Sequence, residues 1–389
     1  MAKKILIFST AYLPLIGGAE IAIKEITDQI SDIQFDMITL RFNSSLPKFE
    51  RIGNINVYRI GFAKLNPGMD ELVKFPLKFN KLFFPFSAYF KACRLHKKNH
   101  YDGIWAMMAA YAGFAAMFFK TCYKNVPYLL TLQEGDPIPE IKKKIRFLYP
   151  LFKRIFIQAN IIQAISNYLA NFAREMGYKG RLEVVPNGVN AEKFKIENLN
   201  KKELKNKFNI NESDKILVTI SRLVKKNAID DIIKSLVYLP ENIKFLILGD
   251  GPDKKFLENL VKELKLENRV ILKGQISQDD LPKYLAVADI FIRPSLSEGQ
   301  GIAFLEAMAA GVPVIATPVG GIVDFLRDKE TGLFCEVNNP KSIAEKAKIL
   351  LENKDLVEKI KINAVKLVRE YYDWHMIALK IKNIFLSLK

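Results

Sequence analysis

Two glutamates eight positions apart, Glu298 and Glu306, stand in the run SEGQGIAFLEAMAAGVPVIATPVGG (297–321). Gly299 and Gly301 follow the first closely, and Ile302, Phe304, Leu305 and Met308 then recur at the spacing of one apolar helical face. The pattern places Glu298, Gly299, Gln300 and Gly301 in a loop, starts a helix at Ile302 and sets Glu306 roughly one turn inside it. A helix start of this kind presents unsatisfied backbone N–H groups and the positive end of the helix dipole, a setting suited to a diphosphate. The two carboxylates can accept hydrogen bonds from hydroxyls of a sugar or ribose. The chemistry indicated is recognition of a polyhydroxylated, phosphorylated ligand. The alternative is a solvated loop acid beside an ordinary helix acid. The loop–helix–strand unit completed by VPVIAT and the GG turn argues against it.

Such a loop needs a sheet to position it. A length of 389 residues exceeds what one core normally holds, so two domains are expected. Strand-like runs at 4–9, 35–40, 57–60, 104–107, 128–131, 161–164 and 182–185 are interleaved with helical spacing at 20–30 and 167–176. The second half restarts the alternation with strands at 216–220, 244–248, 270–272 and 290–293 and helices at 229–236, 253–264 and 279–286. Each half therefore reads as a doubly wound parallel sheet. A polar stretch rich in lysine and asparagine, 194–214, supplies the boundary, and 371–388 reads as an amphipathic helix. Ligands of open α/β sheets bind beyond the carboxyl ends of the strands. Gly17 and Gly18, Arg222, Gly249 and Glu298 all follow predicted strands, so one cleft between two facing sheets is expected.

The signature resembles that of the retaining nucleotide-sugar glycosyltransferases of family GT4, in which two acids separated by seven residues lie beside the donor sugar and the ribose. GGAE (17–20), VPNGVN (185–190), SRLVKKN (221–227) and LGDGP (248–252) resemble further landmarks of that family, in its order. The likeness is strongest over 184–326 and thin over 40–129. It implies the GT-B fold: an acceptor-binding domain at 1–195, joined by the C-terminal helix 371–389, and a donor-binding domain at 196–370. It also implies transfer of a sugar from a UDP- or GDP-sugar to an acceptor hydroxyl with retention of configuration, by front-face attack assisted by the leaving phosphate. No cofactor or metal is expected, because no D-x-D pair is evident and Arg222 with Lys226 supplies positive charge.

Carried over residue by residue, Glu298 meets the donor sugar and Glu306 the ribose. The backbone of Gly299, Gln300, Gly301 and Ile302 meets the phosphates, and that of Gly274 and Gln275 the base. The family commonly has lysine then glycine where this chain has Asn227 and Ala228, so Lys226 stands in, or Lys225 beside it. Gly17 and Gly18 let backbone approach the ligand ahead of a helix beginning near Glu20. Gly249–Pro252 divides evenly between a tight structural turn and a ligand contact. After the strand at 128–132, many relatives carry a histidine against the donor sugar, whereas this chain has Gln133. Glu134 or Asp136 is then the group that orients or deprotonates the acceptor hydroxyl, a polar capped loop being the plainer reading.

The formal charge is +17. No nucleic-acid module or base-stacking aromatic pattern accompanies it, so nucleic acid is not the expected partner. The charge gathers instead in 72–101, which lacks any acid and interleaves seven Lys and Arg with Phe75, Phe79, Phe83, Phe84, Phe86 and Phe90, and again in 142–154 around Phe147 and Phe152. Basic residues among bulky apolar ones suit an anionic bilayer; a helix with solvated lysines and buried phenylalanines is the alternative. MAKKILIFST enters a strand without a leader-like apolar region, and Cys93, Cys122 and Cys335 lack zinc spacing, so a cytoplasmic protein at the inner membrane face is expected, acting on a lipid-linked or glycan acceptor. A nucleotide-sugar epimerase or phosphorylase on the same fold, or a basic binding protein, are the competing classes.

Overall fold

The computed structural model describes residues 2–15, 17–67, 71, 74–196 and 199–389. Leu72, in the acid-free stretch, and Glu197 and Asn198, in the expected linker, lie outside the described residues. The chain forms two compact units, Met1–Asn187 with Trp374–Lys389, and Gly188–Asp373.

The first unit contains β1 (Lys3–Phe8), β2 (Ile33–Leu40), β3 (Phe49–Ile52), β4 (Ile55–Ile60), β5 (Gly103–Met107), β6 (Tyr128–Leu132), β7 (Ile161–Ala164) and β8 (Arg181–Val184). They form one sheet in the order β3-β4-β2-β1-β5-β6-β7-β8, parallel except for the β3–β4 pair. That hairpin edge strand has no counterpart in the expected alternation, because FERI is short and half polar. The helices are α1 (Gly18–Asp28), α2 (Phe79–Asn99), α3 (Phe114–Cys122), α4 (Ile138–Lys144), α5 (Tyr149–Ile157) and α6 (Asn167–Glu175). Ile5, Leu6, Ile7 and Phe8 are all wholly buried, as a strand covered on both faces requires.

The second unit carries β9 (Lys215–Ile220), β10 (Ile243–Leu248), β11 (Val270–Gly274), β12 (Ile290–Arg293), β13 (Val314–Ala316) and β14 (Leu333–Phe334), all parallel, in the order β11-β10-β9-β12-β13-β14. Around them lie α7 (Lys201–Lys207), α8 (Ile229–Ser235), α9 (Lys254–Glu263), α10 (Leu281–Val287), α11 (Ile302–Ala309), α12 (Pro340–Glu352) and α13 (Lys354–Tyr371). Alternate residues of β9 serve different cores: Ile216 and Val218 join the cluster that includes Phe304, Leu305 and Met308, while Leu217 joins Ile232, Ile233 and Phe245.

The final helix, α14 (Trp374–Ser387), belongs to the first unit. Its Phe385 ring meets Phe35 at 5.6 Å and Trp105 at 5.2 Å, and Lys3 Nζ donates to the carbonyls of Phe385 and Leu388 at 2.7 and 2.9 Å. In each sheet the first strand of its unit has neighbours on both sides, β2 and β5 for β1, and β10 and β12 for β9. Winding reverses at these two points, where chain leaving the strands diverges and leaves room for a ligand.

Candidate active site

In the second unit the reversal point lies between β9 and β12, and the loops after both strands are tied together. Leu296 N–H donates to the Lys226 carbonyl at 2.6 Å, and Arg293 Nη1 donates to the Ile220 carbonyl at 3.3 Å. Arg222 is exposed, and its carbonyl accepts from Asn227 Nδ2 at 2.7 Å. Lys226 is half-buried. Ala228 takes the left-handed conformation, φ +49 and ψ +44, at the start of α8. Glycine adopts that conformation without the cost alanine meets there, in keeping with the glycine that the family resemblance implies. Asn227 is buried and holds the loop closed, and Lys225 and Lys226 are the cations beside it.

The LGDGP turn packs against the loop that follows β9. A Cβ on Gly249, whose φ is +146, would lie 1.9 Å from the Ser221 carbonyl oxygen, and one on Gly251 would lie 2.3 Å from that of Leu223. Leu223 N–H donates to the Asp250 carbonyl at 3.0 Å, so these glycines let a second loop brace the one carrying Arg222. The Gly274 carbonyl accepts from Gly249 N–H at 2.8 Å; Gly274 itself has φ +74 with open space beside it, and Gln275 is exposed.

Glu298 follows β12 with its side chain 14% exposed. One carboxylate oxygen accepts from Arg293 Nη2, and the other from Gly299 N–H at 3.1 Å. Its carbonyl accepts from Gly321 N–H at 3.0 Å, which puts the GG turn directly against it. Gly299 and Gln300 are buried and Gly301 is half-buried; α11 then starts at Ile302 without a side-chain cap, so its first amides point out unfilled by any cap. Glu306 is buried within α11, and its carboxyl is pushed up to about 7 by loss of solvent, a rise opposed by the charges of Lys193 and Arg293 and by a hydrogen bond with Gln278.

In the first unit, Gly17 precedes α1 in extended backbone (φ −145, ψ −179), a conformation any residue adopts. The site the glycines make is shared with an acid. Glu20 Oε2 lies 2.7 Å from where a Gly17 Cβ would be, and the carboxyl, raised by burial, accepts from the N–H groups of Gly17 and Glu20. Gln133 and Asn187 form a reciprocal buried amide pair at 3.0 and 3.2 Å. Glu134 is buried, and its Oε1 accepts from Ala109 N–H at 2.7 Å, while Oε2 has no partner among the described residues. Burial lifts its carboxyl to about 7 against hydrogen bonds from the amides of Ala109, Glu134 and Gln133. The amide it holds lies in a distorted turn after β5, where Met108 (φ +73) and Tyr111 (φ +55) occupy the left half of the backbone map without being glycine. Strain of this kind persists where surrounding structure enforces it, commonly at functional loops. Asp136 is exposed and 3.5 Å from Lys144, and its charge adds to the rise at Glu134.

Four participants were not among the expected site residues. Arg293 is the charge closing an otherwise apolar strand, IFIR, and that misplaced charge was the available signal. Asn187 sat in a quoted motif, VPNGVN, without a role. Glu20 lay in the GGAE run. Lys193 follows VPNGVN and gave no signal of its own.

The sequence model of the family described as "Glycosyltransferase Family 4" matches residues 16–193, and that of "Glycosyl transferases group 1" matches 200–367. The chain belongs to the family 4 glycosyltransferases. Its relatives include an N-acetyl-alpha-D-glucosaminyl L-malate synthase of Bacillus anthracis, 31% identical over 59% of this chain and 60% of that protein. A second is a GDP-mannose-dependent alpha-(1-6)-phosphatidylinositol monomannoside mannosyltransferase of Mycobacterium tuberculosis, 28% identical over 59% of this chain and 63% of that protein. The chain thus spans about three-fifths of the length of these two curated relatives. Among solved structures, Anabaena HepE in complex with UDP-glucose superposes with a TM-score of 0.81 at 20% identity, covering 99% of this chain and all of that one. The architecture is GT-B, two Rossmann-like α/β units.

Proposed function

We propose that this glycosyltransferase moves a sugar from a nucleoside diphosphate donor to an acceptor hydroxyl with retention of configuration. The observation that supports the reading best is the pair of tied loops at the β9–β12 reversal, which sets Glu298 beside the open start of α11. The amides of Gly299, Gln300, Gly301 and Ile302, with Arg222 and Lys226, stabilise the negative charge that develops on the leaving diphosphate, the main barrier in separating a sugar from it. Glu298 accepts hydroxyls of the donor sugar, Glu306 those of the ribose, and backbone at Gly274 and Gln275 faces the base. The second unit is thereby the donor-binding domain and the first the acceptor-binding domain. There Glu134 orients the acceptor hydroxyl and the departing phosphate takes its proton; Gly17 and Gly18 line the approach. Fixed cations replace a divalent metal at the diphosphate, so turnover persists in EDTA.

The acceptor is a lipid-linked or glycan hydroxyl at the inner face of an anionic membrane. Among the described residues no helix is long and apolar enough to cross a bilayer. What supports contact with its surface is that most of the phenylalanines sequence alone left undecided face outward. Phe75, Phe83, Phe86 and Phe90 are 52–77% exposed and only Phe84 of that series is wholly buried, while Phe147 is 83% exposed. They stand among Lys74, Lys78, Lys81, Arg94 and Arg146, a mixture that anionic headgroups over an acyl layer satisfy. The test is incubation with UDP- and GDP-sugars, an alcohol acceptor and vesicles with or without phosphatidylglycerol, reading the product's anomeric configuration by proton NMR. Retained configuration, with transfer enhanced by the anionic vesicles, is expected. An inverted product refutes the stereochemistry; donor altered without acceptor refutes the transferase; equal transfer with neutral vesicles refutes the membrane contact.

A further inference from the structure

Arg293 ends a strand whose four residues are all buried. Removing a guanidinium from water costs several kcal/mol, and a buried ion pair is commonly matched or bettered in stability by apolar residues of similar volume. The three residues before it, Ile290, Phe291 and Ile292, show the kind of side chain that packing alone selects here. Stability is therefore a poor reason for the arginine.

Its contacts supply a better one. Nη2 donates to Glu298 Oε2, Nη1 donates to the Ile220 carbonyl at 3.3 Å, and the guanidinium stacks 4.3 Å from the Phe304 ring centre. Nε is buried and has no hydrogen-bond partner among the described residues. The room for this arrangement comes from Gly301, at φ +88, where a Cβ would lie 2.5 Å from Nη2 and 2.6 Å from the Phe304 ring. On the far side, Gly320, at φ +57, lets its turn press on the Glu298 backbone, since a Cβ there would lie 1.9 Å from the Glu298 carbonyl oxygen. Arg293, Glu298, Gly301 and Phe304 thus form one unit. It fixes the carboxylate by one charged hydrogen bond from Arg293 Nη2, itself anchored through Nη1 on the Ile220 carbonyl, and by the Gly299 amide from its own loop.

We propose that Arg293 is a positioning residue that aims the Glu298 carboxylate at the donor sugar. The proposal rests on the transferase reading above. Arg293 acts through Glu298 and needs no contact with substrate, so its loss is felt in the reacting complex and little in nucleotide affinity.

The test compares wild type, R293M and R293K in steady-state transfer, in UDP and GDP binding and in thermal melting. R293M is expected to lower kcat by ~30-fold or more, with donor KM and nucleoside diphosphate affinity within about threefold of wild type, the pattern of an interaction made in the transition state. R293K keeps the charge without the planar group that reaches Glu298 and the Ile220 carbonyl together, and is expected to recover part of that loss, staying about fivefold below wild type. If R293M does not melt cooperatively, R293K carries the test with the same expected deficit. A kcat within about twofold of wild type in R293M, or in R293K where R293M is unfolded, overturns the proposal; so does an R293M loss that falls in KM instead of kcat. A wild type that transfers no sugar from any nucleotide donor overturns the transferase reading and this proposal with it. A wild type that transfers beside an R293M variant of equal kcat overturns this proposal alone.

Discussion

Glu298 and Glu134 each follow a strand of a parallel sheet, and they are held in opposite ways. Glu298 is matched by a buried guanidinium and a loop amide, with its backbone clamped by two glycines. Glu134 has backbone amides only, one oxygen unsatisfied, and a carboxyl lifted to about 7. A carboxylate matched by a fixed cation is a directional acceptor. One without a cation, in a dry site, changes its protonation state near neutrality. The difference suits the roles proposed for them, recognition of donor hydroxyls for the first and response to an arriving acceptor for the second.

The sharpest way to break the comparison is at Glu298. Glu298→Gln keeps the shape and removes the charge that Arg293 grips, so turnover is expected to fall below about a tenth of wild type while UDP or GDP binding stays within about twofold. Activity above that level in a steady-state assay removes Glu298 from its role. Next is Arg222→Ala, which deletes a charged donor to the diphosphate and is expected to weaken it ~30-fold, about 2 kcal/mol, in calorimetric titration. Affinity unchanged within about twofold places the diphosphate elsewhere.

Glu134→Gln separates the two carboxylates by pH. Wild-type kcat is expected to fall as pH drops through about 7, where the orienting carboxylate gains its proton, and the variant is expected to be slow and to lose the Glu134 part of that fall, keeping only what Glu306 contributes. Stability moves the other way. Between the ordinary value of 4.5 and about 7, the unfolded chain gives up this proton before the native one does, so rising pH costs the native state stability. Glu134→Gln lacks that loss, and its melting temperature relative to wild type should climb from pH 5 to pH 8. A constant difference across that range counts against a buried, uncompensated carboxyl. Glu306 carries a similar rise but is present in both proteins, so its contribution cancels. The smallest effect concerns the loop beside Glu298. Ala228→Gly relieves a left-handed alanine and should raise the melting temperature by about 1–3 °C; a decrease would mean that the methyl's buried contacts outweigh its backbone strain.

Most of the fold was legible because buried parallel strands are continuous apolar runs, and ILVTI, KFLIL and IFIR announce themselves. The β3 edge strand was not, since FERI has neither the length nor the hydrophobicity of its neighbours. Glu298 and Glu306 were legible from their glycine and helix context. Arg293 was hidden by the same apolar pattern that revealed its strand, where a terminal charge reads as the strand's limit. The buried state of Glu134 could not be read from QEGD, a segment polar throughout, because it depends on chain returning from β5. Nor could composition decide which way the phenylalanines of α2 face. Only the packing of Phe84, Ala88 and Ala92 against the sheet orients that helix.

One consequence follows from the last helix. Phe385 completes a core begun by Phe35 and Trp105, and the entire second unit is synthesised between them. On the ribosome the first unit must wait, its hydrophobic seat vacant, until Trp374–Lys389 emerges after the second unit. The second unit is contiguous and is expected to mature earlier, so the N-terminal half of this enzyme is the later to be finished.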